Sequence, residues 1–346
     1  MPKDQVVRDL AELFRGQAGW CASLGSPLYA EVIARAADDL EAGGPVWRCV
    51  EPYAGRPPNY AHHLRLMGAA HRLALAGEAP GLARHYPSTG GDGDADGAWR
   101  ELRALLAERP LSLNRPVQTN EVGRSAALVG GFLTAAERTG LGLRVLEIGA
   151  SAGLNLRWDR FRYEAPDWAF GDPTSPARIP MEWEGVRPPL PRAVWVMERA
   201  GCDADPIDPT TDDGALTLRS YVWPDQLGRL ELLRGAIEVA RRTPATVDRA
   251  NAADWLETRL AQRRGGSATV VYHSVVWGYL TDVDRSRITN ALNEAGESAT
   301  EADPLAWLRM EPGANHADVT LTTWPGGEER LIATAGYHGR PVTWRG

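Results

Sequence analysis

Apolar residues recur at three- and four-residue spacing through the first third of the chain: Val6, Leu10, Leu13 and Phe14; Leu28, Val32, Ala36 and Leu40; Leu64, Met67, His71 and Leu73; Trp99, Leu102, Leu105 and Leu106. That spacing lays a stripe down one side of a helix, so this region reads as a set of amphipathic helices, punctuated near Pro45, Pro57 and Pro80. No strand-like alternation longer than a few residues precedes Leu141. A further stripe, Val122, Ala126, Val129, Leu133 and Ala136, follows a cap at Thr119 or Asn120, with Glu121 in the first turn. Beyond it short apolar runs predict strands over 144–148, 193–197 or somewhat later, 245–248, 269–273, 305–310, 318–323 and 331–335. Helical stretches at 225–241, 254–262 and 286–295 separate the earlier runs, and WPGGEER between the last two is a hairpin signal. The expectation is an α/β fold with a seven-stranded, mostly parallel sheet ending in an antiparallel hairpin. It occupies residues 116–346, carries an insertion at 157–192 and follows a helical cap domain at 1–115.

The strongest chemical signal is RVLEIGASAGLN, where the first predicted strand ends on Glu147 and runs into Gly149, Ala150, Ser151, Ala152 and Gly153 before helical spacing resumes past Asn155. A strand, a tight turn of small residues and a helix start form the unit that lets a nucleotide-like ligand approach the backbone. The dinucleotide fingerprint needs GxGxxG, and this loop does not supply it, which argues against NAD. The loop resembles motif I of the class I S-adenosylmethionine-dependent methyltransferases, an ExGxGxG turn around the amino-acid end of the cofactor, with Ser151 in place of the middle glycine. Two other readings share these residues. Gly149, Ser151 and Gly153 spell GxSxG, the turn that exposes a serine nucleophile in α/β-hydrolases, although the helical character upstream does not suit that order of elements. The third reading is a glycine turn that binds nothing.

Composition narrows the options. A net charge of -7 gives no general attraction to phosphate backbones or anionic lipid, so nucleic acid and membrane are not expected partners, and a small molecule or a protein remains open. Of the 38 basic residues all but Lys3 are arginine, which leaves no lysine for Schiff-base chemistry or a Walker-type phosphate loop. Cys21, Cys49 and Cys202 are far apart and form no CxxC, against a disulfide framework or a cysteine zinc site. With no signal segment or long apolar run at the N-terminus, a cytoplasmic location is expected. Asp92, Asp94, Asp96 and Gly97 copy the first half of a calcium loop, but Arg103 stands where the bidentate glutamate belongs; a solvated acidic linker is expected there and no metal site.

Further residues support the methyltransferase resemblance. In GCDADPID, Asp203 resembles the carboxylate that grips both ribose hydroxyls, with Glu198 as the alternative acid and helix capping as the plain one. In RANAADWL, Asn251 stands where that family has an aspartate on the adenine amino group and Ala252 would line the adenine plane; capping by the same segment explains it equally well. VYHSVVWGYL places Tyr272, His273 and Ser274 at the carboxyl edge of the fourth strand, where open α/β folds bind ligands, and Glu311 ends the fifth. His273 can take a proton from an attacking oxygen or nitrogen, position substrate, or be a buried histidine satisfied by a backbone carbonyl. Tyr272 and Glu311 are the catalytic candidates beside it, Glu311 as a holder of a substrate amine or as part of a solvated turn. Asn120, Glu121, Arg124 and Tyr279 are candidate substrate contacts; His316 and His338 lack metal-ligand spacing. The insertion carries Trp158, Tyr163, Trp168, Phe170 and Trp183, either as a lid of rings over a sulfonium or as a satellite core.

RVLEIGASAGLN, QTNEVGR, GCDADPID, WPDQ, YHSVVWGYL, RMEP and WPGGEER together resemble an uncharacterised bacterial family, a domain of unknown function assigned a methyltransferase-like fold. The resemblance implies S-adenosylmethionine as cofactor, held by Glu147, Gly149, Ala150, Ser151, Gly153, Asn155, Asp203, Asn251, Ala252 and His273, in an enzyme that methylates a small molecule. A regulatory protein that binds the cofactor without catalysis is the alternative. Neither oligomeric state nor acceptor follows from the residues.

Overall fold

The computed structural model describes residues 3–191, 193–263 and 265–346. By internal contacts the chain divides into two units: Met1–Thr119 with Thr211–Glu231, and Asn120–Thr210 with Leu232–Gly346. The sequence reading cuts once, after residue 115. The difference is that Thr211–Glu231, a segment far along the chain, belongs with the N-terminal helices.

The first unit is helical, with its main helices at Lys3–Ser23, Pro27–Glu41, His62–Leu75 and Ala95–Glu108. Leu10, Phe14, Leu28, Val32, Ala36, Leu40, Met67, Leu102 and Leu106 bury the predicted stripes in one core. His71 sits in this core with its ring nitrogens on the Ser220 carbonyl (3.2 Å) and Ser88 Oγ (2.7 Å), a satisfied buried imidazole. The acidic stretch is solvated, its Asp92, Asp94 and Asp96 side chains exposed, but it is a folded loop and helix start rather than a linker. Asp92 pairs with His85 at 2.9 Å, Asp94 caps the helix Ala95–Glu108 through the Asp96 amide at 3.0 Å, and Asp96 pairs with Arg35. Among the described residues no cluster of three or more acidic, histidine or cysteine side chains could hold a metal.

The second unit is mixed α/β. Its strands are β1 (Gly142–Ile148), β2 (Arg162–Glu164), β3 (Ala169–Phe170), β4 (Arg178–Pro180), β5 (Trp183–Glu184), β6 (Val196–Asp203), β7 (Thr246–Arg249), β8 (Ser267–Ser274), β9 (Leu305–Pro312), β10 (Ala317–Trp324), β11 (Glu328–Ala335) and β12 (Val342–Trp344). All seven expected strands occur, but the sheet has nine, in the order β5-β12-β11-β10-β9-β8-β1-β6-β7. The two additional strands, β5 and β12, are two and three residues long, too short to carry a periodicity. The five strands from β9 to β7 are mutually parallel; β9, β10, β11 and β12 form an antiparallel meander, with WPGGEER turning β10 into β11. β1 is buried along its whole length, as a central parallel strand covered on both faces requires. The helix Ser125–Thr139 packs across β8, β9, β10 and β11.

The insertion builds a second small sheet, β3-β2-β4. Its rings are core: Trp158 stacks on Phe132 with centroids 4.4 Å apart and on Phe170 at 6.0 Å, and Trp183 stacks on Trp344 at 5.4 Å. The satellite-core reading of these aromatics therefore holds. Cys21, Cys49 and Cys202 are buried free thiols, and among the described residues no helix is long and apolar enough to cross a membrane.

Candidate functional site

The chain leaves β1 for β6 and β7 on one side, then returns to place β8 and β9 on the other. This reversal makes the carboxyl ends of β1 and β8 a switch point, the place in open α/β sheets where the two following connections diverge and ligands bind. The loop after β1 lies there. Gly149, Ser151 and Gly153 have φ of 68°, 54° and 64°, a left-handed conformation that costs a serine about 1 kcal/mol and a glycine little. The two glycines also allow close packing: a Cβ on Gly149 would lie 2.4 Å from a Val276 methyl, and one on Gly153 2.7 Å from a Val247 methyl. Ala150 and Ala152 are buried.

The loop is held from three sides. The Ser151 amide donates to Asp203 Oδ2 at 2.8 Å, while Asp203 Oδ1 accepts the Asp205 amide at 2.9 Å. The Leu154 amide donates to Asn120 Oδ1 at 2.9 Å, and Arg157 Nη1 donates to the Gly153 carbonyl at 2.6 Å. Asn155 is buried, donating to the Glu121 carbonyl at 3.1 Å and accepting from Ser125 Oγ at 2.8 Å. Asp203, Asn120, Glu121 and Asn155 thus meet around the loop, in roles that fix its shape. Arg124 reaches the same edge, donating to the Ser274 carbonyl at 3.1 Å and the Tyr337 carbonyl at 3.3 Å.

Glu147 is paired in register with Tyr272 across β1 and β8. It is 2 % exposed, and burial pushes its carboxyl up to about 8; the Tyr272 hydroxyl and Arg157 temper that rise. Tyr272 faces the carboxyl without meeting hydrogen-bond geometry, so Glu147 Oε2 and Tyr272 Oη are both buried and unpartnered. Burial also raises the Tyr272 phenol far above its ordinary range, which removes it as a general base.

His273 Nδ1 lies 2.6 Å from Glu311 Oε1, and Glu311 also accepts the amides of Val276 (3.1 Å) and Trp277 (3.3 Å). The imidazole is fully buried and stacked on Trp277, centroids 5.0 Å apart, and its Nε2 makes no hydrogen bond. His273 therefore does not supply the serine–histidine link that a hydrolase elbow at Ser151 requires. Trp277 also borders a cavity of about 450 Å³ lined by Trp307, Arg309, Trp324 and Glu329. Val275, a β-branched residue at φ 53°, turns the chain out of β8. Backbone strain of this kind persists only where surrounding structure imposes it, and it clusters at ligand sites.

Of the other expected residues, Glu198 lies away from the loop, whereas Asn251 follows Ala250, whose amide donates to the Asp203 carbonyl at 3.1 Å, and Tyr279 lies in the turn that begins at Trp277. Glu198 pairs with Arg144, near the start of β1, at 2.6 Å and with Arg259; that position is the wrong end of the strands for a ribose. Asn251 caps the helix Ala252–Ala261 through the amides of Ala253 (2.9 Å) and Asp254 (3.2 Å), and its Nδ2 donates to Asp284. Ala252 packs against the core beside Trp255. Tyr279 is 71 % exposed on a 3-10 turn. Sequence reasoning missed Ser125, Arg157, Val275 and Trp277. Arg157, four residues past Gly153 with helical spacing between them, was open to that inference; the left-handed Val275 has no sequence signal.

Comparison with protein families finds a match over residues 11–344 to a family described as "Uncharacterized protein conserved in bacteria (DUF2332)". No curated protein and no solved structure matches the chain. Since the family match runs through the helical unit, the loop after β1 and the meander alike, the protein belongs to this bacterial family of conserved proteins.

Proposed function

We propose that this protein is an S-adenosylmethionine-dependent methyltransferase acting on a small-molecule acceptor, with the cofactor at the carboxyl ends of β1, β6 and β8 in a class I methyltransferase-like sheet. The observation that carries the reading is the strand order β7-β6-β1-β8-β9, all parallel, with the small-residue loop at its switch point. The donor set fits such a cofactor at Glu147. Burial holds the Glu147 carboxyl protonated with its Oε2 unpaired, and an ammonium group beside it would favour the ionised form and supply the partner that oxygen lacks. Asp203, with each oxygen accepting one amide, keeps lone pairs for hydroxyl donors.

The sulfonium is an already activated methyl donor, so the protein's share of the chemistry is alignment. Asp203, through the lone pairs that its two amide bonds leave, fixes where the nucleoside lies. Glu311, gripped by two amides, fixes the His273 ring, and the imidazole's free Nε2 is the first candidate to receive an acceptor's proton. Incubation of the protein with S-adenosylmethionine and a small-molecule fraction should accumulate S-adenosylhomocysteine above a His273→Asn control. Equal accumulation in both proteins removes His273 from catalysis, and none in either refutes the enzyme.

A second reading, a cofactor-binding protein without catalysis, is favoured by one observation: His273 is fully buried, which closes Nε2 to an acceptor in this conformation. Bound cofactor with no turnover across a broad acceptor panel would support it.

A further inference from the structure

The helical unit contains a cavity of about 400 Å³ lined by Arg65, Arg72 and Arg115 together with Leu73, Leu111 and Tyr221. Gly68 makes this geometry possible. A Cβ there would lie 2.5 Å from the Tyr221 ring, so the ring rests directly on the helix His62–Leu75 and its hydroxyl comes in among the guanidinium groups. Burial raises the Tyr221 phenol, and the three cations that line the same cavity partly offset that rise.

The cluster is unbalanced in charge. Arg65 donates to the carbonyls of Tyr60 (2.6 Å), Leu113 (3.0 Å), Asn114 (3.1 Å) and Arg115 (2.7 Å), acceptors that hold the side chain without neutralising it. Arg72 and Arg115 both donate to Thr217 Oγ1, at 2.9 and 3.0 Å, and both face Asp213, at 2.5 and 3.5 Å. Asp213 is the single carboxylate paired with any of the three among the described residues, and it is 66 % exposed in the first turn of the helix Asp212–Ser220. Two of the three cations thus share one solvent-facing anion, and the third meets only main-chain carbonyls, beside an apolar wall in a chain whose overall charge is -7.

We propose that this cavity binds a small organic carboxylate, with Arg72 and Arg115 taking the oxyanion and Leu73, Leu111 and the Tyr221 ring carrying its apolar body. Asp213 already shows what the two guanidinium groups accept. Being exposed, it yields its place to a ligand carboxylate at small cost, because exchanging one anion for another leaves both arginines paired. The apolar wall adds what a free acetate could not gain.

The test is calorimetric titration of the full-length protein at low salt with phenylacetate, phenyl phosphate and neutral benzyl alcohol. Phenylacetate is expected to bind saturably and benzyl alcohol not to. Arg115→Gln should weaken phenylacetate binding by about tenfold, and Asp213→Asn, which removes the competing anion, should tighten it by about threefold or more. A merely structural role for these side chains cannot produce the tightening. Absence of saturable phenylacetate binding to the native protein overturns the proposal, as does an affinity unmoved by both substitutions. Binding of phenyl phosphate without phenylacetate overturns the carboxylate assignment in favour of a phosphate monoester.

Discussion

The Ser151 amide and Asp203 Oδ2 lie 2.8 Å apart, joining the loop after β1 to the end of the neighbouring strand β6. Ser151 holds a left-handed φ of 54° that a serine adopts only under constraint, and this bond is one of the constraints. Asp203→Ala should therefore release the loop. We expect a loss of about 1–3 kcal/mol of stability by denaturant unfolding, because two backbone amides lose their acceptor. Affinity for S-adenosylmethionine should fall by about tenfold, or about 1.4 kcal/mol. Unchanged affinity in the folded variant would leave Asp203 as a brace for the loop and nothing more.

Glu147 makes a prediction about pH. The native chain keeps its proton up to about 8, whereas the unfolded chain releases it from the ordinary value of 4.5 upward. Its contribution to stability is thus fully present below about 4.5 and is lost as pH rises to about 8, a total on the order of a few kcal/mol. Glu147→Gln, neutral at every pH, should flatten this part of the stability curve and be the more stable protein at pH 8. Parallel curves for the two proteins between pH 5 and 8 would show that burial does not hold the proton.

How much of this was legible in the chain varies with the kind of signal. The helical stripes through Leu10, Phe14, Val32 and Leu40 and the seven apolar runs are periodic, and each corresponds to an element. Trp183–Glu184 and Val342–Trp344 have no period to read, so the sheet's edge strands escaped. At the site, Gly149 to Gly153 announced a loop by their small size. The sequence could not tell whether the space they leave is filled by a ligand or by Val276 and Val247, because that depends on residues about 100 positions away. Asn251 has one side chain and two plausible uses; capping, a local contact within three residues, is the one seen. Trp277 could not be paired with His273 from spacing, since a stacked arrangement four residues apart arises here from the turn at Val275.

Glu311 gathers the Nδ1 of His273 and two main-chain amides on one carboxylate. Glu311→Gln should keep the fold and bind S-adenosylmethionine with near-native affinity while slowing turnover, since the amide still accepts from Nδ1 but no longer stabilises an imidazolium. Glu311→Ala should lower stability by about 1–3 kcal/mol through the donors it strands. Turnover in Glu311→Gln equal to the native rate would place the His273–Glu311 pair outside the chemistry.

The GxSxG spelling is tested by labelling. With His273 Nδ1 held by Glu311 and Nε2 making no bond, Ser151 is not activated by this imidazole. A fluorophosphonate probe should leave the folded protein unmodified at Ser151, as read by peptide mass spectrometry. Stoichiometric labelling abolished by Ser151→Ala would restore the hydrolase.

The central claim is that the carboxyl edge of β1, β6 and β8 receives a sulfonium nucleoside, and titration of S-adenosylmethionine into the purified protein tests it most directly. Saturable binding in the micromolar range, weakened in Asp203→Ala, is the predicted result; no saturable binding up to millimolar concentration would contradict it.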